Sequence, residues 1–145
     1  MSARIDWYKQ SPAAYEAMLG LERALETSGL ELSLLELLRL RASQLNGCAF
    51  CVNMHGNDAR RAGETEQRLQ CLSVWRDTGF FTPRERAALA WTESLTLLAE
   101  QGAPQAQFEA LREHFTDKEV VDLTLAIGTI NAWNRFGVGF ALAPE

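Results

Sequence analysis

Apolar residues recur at intervals of three and four along most of the chain, the spacing that places them on one face of an α-helix. No run alternates between apolar and polar residues with the period of a β-strand, and no hairpin turn joins such runs. No linker or low-complexity tract interrupts the pattern. The sequence therefore predicts an all-α fold in a single domain spanning residues 1–145.

Helix start and stop signals divide this pattern into seven predicted helices. Serine and threonine N-caps, some followed by proline and some in capping boxes, mark the starts, and glycines mark most of the ends. A capping box formed by Ser33 and Glu36 is predicted to open the second helix. The predicted helices cover about residues 12–27, 33–46, 48–62, 66–77, 83–100, 105–114, and 116 to shortly before Pro144.

The last predicted helix is apolar on nearly every side, so we expect it to be the central, buried helix of the bundle. Gly128, Gly137 and Gly139 lower its helix propensity. They fit a helix whose backbone approaches its neighbours closely.

The chain carries 14 basic and 19 acidic side chains, a formal net charge of −5. Such a surface does not attract nucleic acid, which excludes that class of partner. The first ten residues lack the apolar core of a secretory signal, and no apolar run is long enough to cross a bilayer. We therefore expect a cytoplasmic protein with no membrane partner.

Candidate chemistry is concentrated in the third predicted helix, where Cys48, Cys51 and His55 fall within one stripe about 60° wide. A Cys-x-x-Cys pair in a reducing compartment is typical of redox activity or metal binding.

Three interpretations of the cysteine pair follow: buried small apolar residues, a structural zinc site, or a dithiol that cycles with a disulfide. Zinc would need Cys71 or His114 as a fourth ligand, and the sequence has no second close-spaced ligand pair. The redox pair is favoured, because the positive end of a helix favours a thiolate. Cys71 itself is predicted to be inert core.

A proton relay is geometrically available if the second and third helices form an antiparallel hairpin about Gly47. Glu36 lies eleven residues before Gly47 and His55 eight after it, so the two lie within about 5 Å along the common axis. Cys51 is one turn from His55 on the same face. The alternative for Glu36 alone is its predicted capping role at Ser33.

These positions predict a specific reaction that needs no cofactor or metal. Either cysteine can be the nucleophile: Cys48 is nearer the positive end of the helix, but Cys51 has His55 at the i+4 position and is the one we predict. His55 takes the proton of Cys51, and Glu36 holds the imidazole in one tautomer. The thiolate attacks the O–O bond of a peroxide and becomes a sulfenic acid, which Cys48 converts to a disulfide. A reduced dithiol then restores the pair.

The run of residues 36–55 resembles the alkylhydroperoxidase-D (AhpD-like) family of the carboxymuconolactone decarboxylase superfamily. The resemblance rests on the Glu36…Cys48-x-x-Cys51-x-x-x-His55 spacing and continues through residues 58–64. It extends more weakly to residues 90–96 and 130–136, so it covers most of the chain after residue 30.

The resemblance implies an AhpD-like helical bundle and a peroxidase in which Glu36, His55 and Cys51 form the relay and Cys48 resolves the sulfenic acid. It also implies a homotrimer or homohexamer, and electrons from a lipoyl or thioredoxin-like donor. The decarboxylases of the superfamily lack the cysteine pair. The remaining alternatives are a redox-sensing or zinc-binding oligomer without catalysis, and a decarboxylase-like member.

Overall fold

The computed structural model describes residues 2–144, and these residues form α-helices and one 3₁₀ helix, with no strand. The predicted all-α fold is confirmed. The 3₁₀ helix covers Leu72–Asp77. The α-helices are α1 (Trp7–Gln10), α2 (Pro12–Glu26), α3 (Leu32–Asn46), α4 (Ala49–Arg61), α5 (Glu66–Cys71), α6 (Pro83–Thr96), α7 (Leu98–Gln101), α8 (Gln105–His114) and α9 (Asp117–Gly139).

Two helices predicted as continuous are broken in the structure. The helix predicted over residues 66–77 changes to 3₁₀ form after Cys71, and Arg86 of α6 donates to the carbonyl groups of Trp75, Arg76 and Thr78 at its end. The helix predicted over residues 83–100 is interrupted at Leu97, which separates α6 from α7. Helix α1 was not predicted, because a single turn leaves no periodic signal.

The capping box predicted at Ser33 is wrong. The N-cap of helix α3 is Glu31, two residues before Ser33, and it forms no side-chain capping bond. Glu36 is buried and its carboxylate accepts from other partners instead. The boxes at Thr82 and Thr116 do form, with both reciprocal hydrogen bonds present.

Helix α3 has the central position that the sequence assigned to the last helix. It packs against α4, α6 and α9, and nine of its fifteen residues are buried. Helix α9 is buried along one face, whereas Val121 and Val138 are 66% and 48% exposed. The other helices therefore leave some apolar side chains of α9 uncovered.

None of the helices between residues 2 and 144 is both long and apolar enough to cross a membrane.

Candidate active site

A tight turn at Gly47 brings α3 and α4 side by side. Gly47 has a φ of 67°, the left-handed conformation that glycine adopts without steric cost, and its N–H bonds to the carbonyl groups of Gln44 and Ser43. The hairpin assumed from the sequence is thus present. It aligns the middle of α3 with the first two turns of α4.

Polar side chains fix this turn to α9. The Asn46 amide donates to Asn131 and to Asn134, at 2.9 Å each, and the Asn134 amide donates to Ser43 Oγ at 3.0 Å. Asn134 and Ser43 are almost fully buried. Because buried amides are costly to leave unpaired, this network favours one register of α9 against the hairpin.

The two cysteines lie at the N-terminus of α4. Cys48 is the N-cap residue, and its Sγ accepts from the Cys51 N–H at 3.3 Å. The two sulfurs are joined as a disulfide, with the Cα atoms 5.2 Å apart, a usual separation for such a bond. Cys48 and Cys51 are 1% and 2% exposed, so a reactant must enter a cavity to meet either of them.

Gly137 of α9 packs directly on the disulfide. A Cβ built on this residue would lie 2.5 Å from Cys48 Sγ and 3.2 Å from Cys51 Sγ. The sequence indicated a close approach of α9, and at Gly137 the absence of a side chain makes room for the sulfurs.

We expect Gly137→Ala to lower the free energy of unfolding of the oxidised protein by about 1–3 kcal/mol, because the new methyl group overlaps the Cys48 sulfur. Gly128→Ala on the same helix is the matched control. A Cβ there meets no atom within 4 Å, so alanine should raise stability by about 0.5–1 kcal/mol. Urea denaturation of the two variants checks this. Equal effects at the two positions would contradict the proposed overlap.

The Glu36 carboxylate is shared by two partners. His55 Nδ1 donates to its Oε2 at 2.9 Å, and Arg39 Nη1 donates to its Oε1 at 2.6 Å. Burial opposes ionisation, but the hydrogen bonds and charges of His55 and Arg39 outweigh it and hold the pKa of Glu36 below its ordinary value. A carboxylate only accepts hydrogen bonds, so Nδ1 carries a proton, and Nε2 is the ring nitrogen that remains to exchange a proton with a reactant.

The polar contacts continue beyond Arg39. Its Nη2 donates to Glu22 at 3.0 Å, and the Trp133 indole donates to the other oxygen of Glu22 at 2.9 Å. The chain of contacts therefore runs from α9 through α2 and α3 to His55 on α4. Arg39 and Glu22 were not singled out from the sequence. The available signal was a charged pair with i, i+3 spacing, Glu36 and Arg39, within a run of leucines.

A cavity of about 340 Å³ lies over Cys51 and His55. Cys51 and His55 are one helical turn apart, and among residues 2–144 no hydrogen bond joins the imidazole to either sulfur. Most of the wall is aromatic or aliphatic, and Phe50, between the two cysteines, is part of it. The apolar lining residues are Trp7, Tyr8, Tyr15, Phe50, Met54, Trp133, Phe136 and Leu142.

A second cavity, of about 290 Å³, opens on Cys48 and is not lined by Cys51. Gly137 and Leu142 line both cavities. Among residues 2–144, all those that line the second cavity are uncharged: Gly47, Cys48, Ala49, Gly137, Val138, Ala141, Leu142, Ala143 and Pro144.

The zinc interpretation finds little support in the positions of its ligands. Within residues 2–144, the cluster able to hold a metal ion consists of Glu36, His55 and Asp58, without Cys71 or His114. Both oxygens of Glu36 already accept hydrogen bonds, and Asp58 pairs with Arg61 at 2.9 Å. Cys71, predicted as core, is a free thiol of intermediate burial.

Comparison with known proteins identifies the family. The model of the carboxymuconolactone decarboxylase family matches residues 11–94, more than half of the chain. The chain belongs to this family. A relative of this chain, the uncharacterized protein YdfG of Bacillus subtilis, is 41% identical to it over 138 residues, which cover 95% of this chain and 94% of YdfG.

Solved structures place this family member among AhpD-like proteins. One is a protein of unknown function from Agrobacterium tumefaciens, whose name relates it to the antioxidant defence protein AhpD. It has a TM-score of 0.96 and 47% identity, and 99% of each chain is covered. Another is the alkylhydroperoxidase AhpD core of a peroxidase-related protein from Ralstonia eutropha. Its TM-score is 0.83 at 26% identity, with 95% of this chain and 74% of that chain covered. The fold is therefore AhpD-like.

Proposed function

We propose that this protein is a thiol-dependent peroxidase that reduces organic hydroperoxides through Cys48 and Cys51. The observation that carries the proposal is the position of the Cys-x-x-Cys pair. Cys51, joined to Cys48 by the disulfide, forms part of a mostly apolar cavity wall beside an imidazole held by a buried carboxylate. The peroxidase-related names of the structural neighbours support the same class of enzyme.

In the oxidative half-reaction, His55 Nε2 accepts the Cys51 thiol proton across the cavity, directly or through a water molecule. The thiolate attacks the terminal oxygen of the hydroperoxide, the O–O bond breaks, and the proton from His55 converts the departing alkoxide to an alcohol. Cys51 is then a sulfenic acid. The Cys48 sulfur attacks it, and the new disulfide forms as water leaves. Two electrons have passed from the dithiol to the peroxide.

In the reductive half-reaction, a donor thiolate attacks Cys48 and releases Cys51 as a thiolate beside His55. The second donor thiol attacks the mixed disulfide, so the donor leaves oxidised and Cys48 leaves reduced. The cavity lined by Cys48 but not by Cys51 supports a route for this donor that is separate from the route of the peroxide. A lipoyl or thioredoxin-like protein is the proposed donor.

Donor-dependent turnover tests the proposal. The purified protein should consume tert-butyl or cumene hydroperoxide steadily with dihydrolipoamide or thioredoxin, and the product should be the alcohol. If excess peroxide leaves both thiols reduced, the proposal is wrong. Stoichiometric zinc in the purified protein would instead support the non-catalytic, metal-binding alternative.

The assembly and compartment follow from the same proposal. We expect a homotrimer or homohexamer, as the family resemblance implies, which light scattering measures directly. We also expect a cytoplasmic location, because a reducing compartment keeps the donor dithiol available.

We expect His55→Gln to slow peroxide reduction by about 10²-fold near pH 7, since glutamine cannot act as the base. The deficit should shrink above the ordinary thiol pKa of about 8.5, where solvent removes the proton. Single-turnover rates from pH 6 to 9.5 measure this, with His114→Gln on α8 as the control. A deficit of equal size at every pH would show that His55 is not the base.

A further inference from the structure

Arg39 is the only permanent cation in the wall of the cavity over Cys51, within the described residues 2–144. Three carboxylates share that wall, on Glu22, Glu36 and Asp58. Two of them, Glu22 and Glu36, form ion pairs with Arg39. One guanidinium therefore balances two carboxylates beside the candidate catalytic site.

The Arg39 guanidinium is held from two sides. Its Nη1 donates to Glu36 Oε1 at 2.6 Å, and its Nη2 donates to Glu22 Oε2 at 3.0 Å. The Trp133 indole donates to the other oxygen of Glu22 at 2.9 Å. Because the guanidinium is a planar fork with fixed donor directions, the position of Glu22 helps to fix that of Arg39, which in turn orients Glu36.

The orientation and charge of Glu36 decide what His55 can do. Arg39 occupies Oε1 of the carboxylate, and Oε2 accepts from His55 Nδ1 at 2.9 Å. A protonated carboxyl group would instead donate to Nδ1. The ring proton would then lie on Nε2, which could no longer take the proton of Cys51.

The surroundings of Glu36 oppose its ionisation apart from two partners. The charged and titratable groups around it are Arg39 on α3, His55 and Asp58 on α4, and Glu22 on α2. Burial and the two other carboxylates disfavour a negative charge, although Asp58 is itself paired with Arg61. Helices α6 and α9, which also pack on α3, add no titratable side chain to the described part of the wall. Its two tyrosines are uncharged well below pH 10.

We propose that Arg39 is a positioning residue for peroxide reduction, whose guanidinium fixes the Glu36 carboxylate against His55 Nδ1. Glu22 fixes Arg39 in turn. This inference rests on the proposed peroxidase function and adds a residue to its relay. Arg39 acts through Glu36 and does not transfer the proton itself, because a guanidinium stays protonated in proteins.

The first test follows the Glu36 carboxyl group in the disulfide form, without peroxide or donor. Carbon-13 NMR of protein with labelled glutamate carboxyl groups records the titration, and the spectrum of Glu36→Gln assigns the signal. In the native protein the signal should remain that of a carboxylate from pH 8 down to pH 5. In Arg39→Gln the midpoint should rise by about 1–3 pH units, so that protonation begins within this range.

The second test compares single-turnover rates with cumene hydroperoxide from pH 5.5 to pH 8. Arg39→Gln should be slower than the native protein by about tenfold at pH 5.5 and by at most about threefold at pH 8. The deficit grows as the pH falls because the variant loses its carboxylate there and the native protein keeps it. A deficit of one size at every pH would indicate a purely structural role.

Arg41→Gln is the matched control. Arg41 lies on the same helix and pairs with buried Glu93, with side-chain exposures of 13% and 7%, against 10% and 6% for Arg39 and Glu36. It does not line the cavity. Urea denaturation should show a loss of stability in both arginine variants. The Glu36 titration and the peroxide rates should change only in Arg39→Gln.

Arg39→Lys is the conservative variant and decides the matter even if Arg39→Gln does not fold. Lysine keeps the positive charge but offers a point donor in place of the fork. The Glu36 signal should therefore remain that of a carboxylate down to pH 5, and any rate deficit should be at most about threefold and equal at every pH. A carboxyl group that titrates above pH 5 in Arg39→Lys would overturn the proposal.

The double variant Glu36→Gln/Arg39→Gln separates action through Glu36 from direct action on the peroxide. Once Glu36 is replaced, loss of Arg39 should slow the reaction no further. A further loss as large as that of Arg39→Gln alone would overturn the inference, as would an unchanged Glu36 titration in Arg39→Gln. If the native protein reduces no hydroperoxide, the peroxidase function is wrong, whereas the NMR titration still decides whether Arg39 holds Glu36 as a carboxylate.

Discussion

Cys51→Ser should reduce peroxide turnover to the background rate, a loss of more than about 10³-fold. A serine hydroxyl is not ionised at neutral pH and cannot accept the peroxide oxygen as sulfur does. Cys48→Ser should also stop donor-dependent turnover, for a different reason. It should still reduce one equivalent of hydroperoxide, because Cys51 remains, and then stop with a sulfenic acid that no neighbouring thiol can resolve.

Quantifying alcohol in a single turnover and labelling sulfenic acid with a 1,3-diketone distinguish the two variants. Cys71→Ser is the control, since Cys71 is a free thiol outside both cavities that border the disulfide. We expect it to retain full turnover. If the one-equivalent reaction persisted in Cys51→Ser and disappeared in Cys48→Ser, the roles of the two cysteines would be reversed.

The helical hairpin and its pairing of Glu36 with His55 could be predicted because both depend on local geometry. A helix advances by a fixed rise per residue, so the position of Gly47 determines which residues of the two helices lie side by side. The 2.9 Å contact between Glu36 and His55 follows directly. The same locality explains the correct starts at Thr82 and Thr116.

The capping box at Ser33 failed because tertiary contacts competed with it. Its fourth residue, Glu36, forms hydrogen bonds with Arg39 and His55 instead of returning to the helix start. A local motif predicts only the bonds that its own segment can make. When a charged side chain faces the protein interior, buried partners determine its conformation.

The aromatic half of the cavity could not be predicted from the sequence. Trp7 and Phe136 are far apart in the chain and meet because the segment before α2 folds back on the end of α9, where Arg4 bonds to Gly139 and Phe140. A contact between residues so far apart leaves no periodic pattern in the sequence. The sequence thus predicted that the two cysteines and His55 share one helix face, whereas the shape of the space in front of them emerged only from the tertiary structure.

Glu36→Gln should reduce both activity and stability. The amide cannot carry the charge that pairs with Arg39, so the free energy of unfolding near pH 7 should fall by about 3 kcal/mol. Peroxide reduction should slow by about 10²-fold, because His55 loses the carboxylate that keeps its proton on Nδ1. Urea denaturation and single-turnover rates measure the two effects separately.

The pH dependence of stability identifies the charge as the cause. The pKa of Glu36 is held below its ordinary value of 4.5, so its contribution is complete above that value and is lost as the pH falls through the folded-state pKa. The difference in stability between the native protein and Glu36→Gln should therefore be constant near neutral pH and shrink below about pH 4.5. Glu22→Gln, which removes the less buried partner of Arg39, should cost less stability. If Glu36→Gln lost stability but kept full turnover, Glu36 would only support the fold, and His55 would be positioned by other contacts.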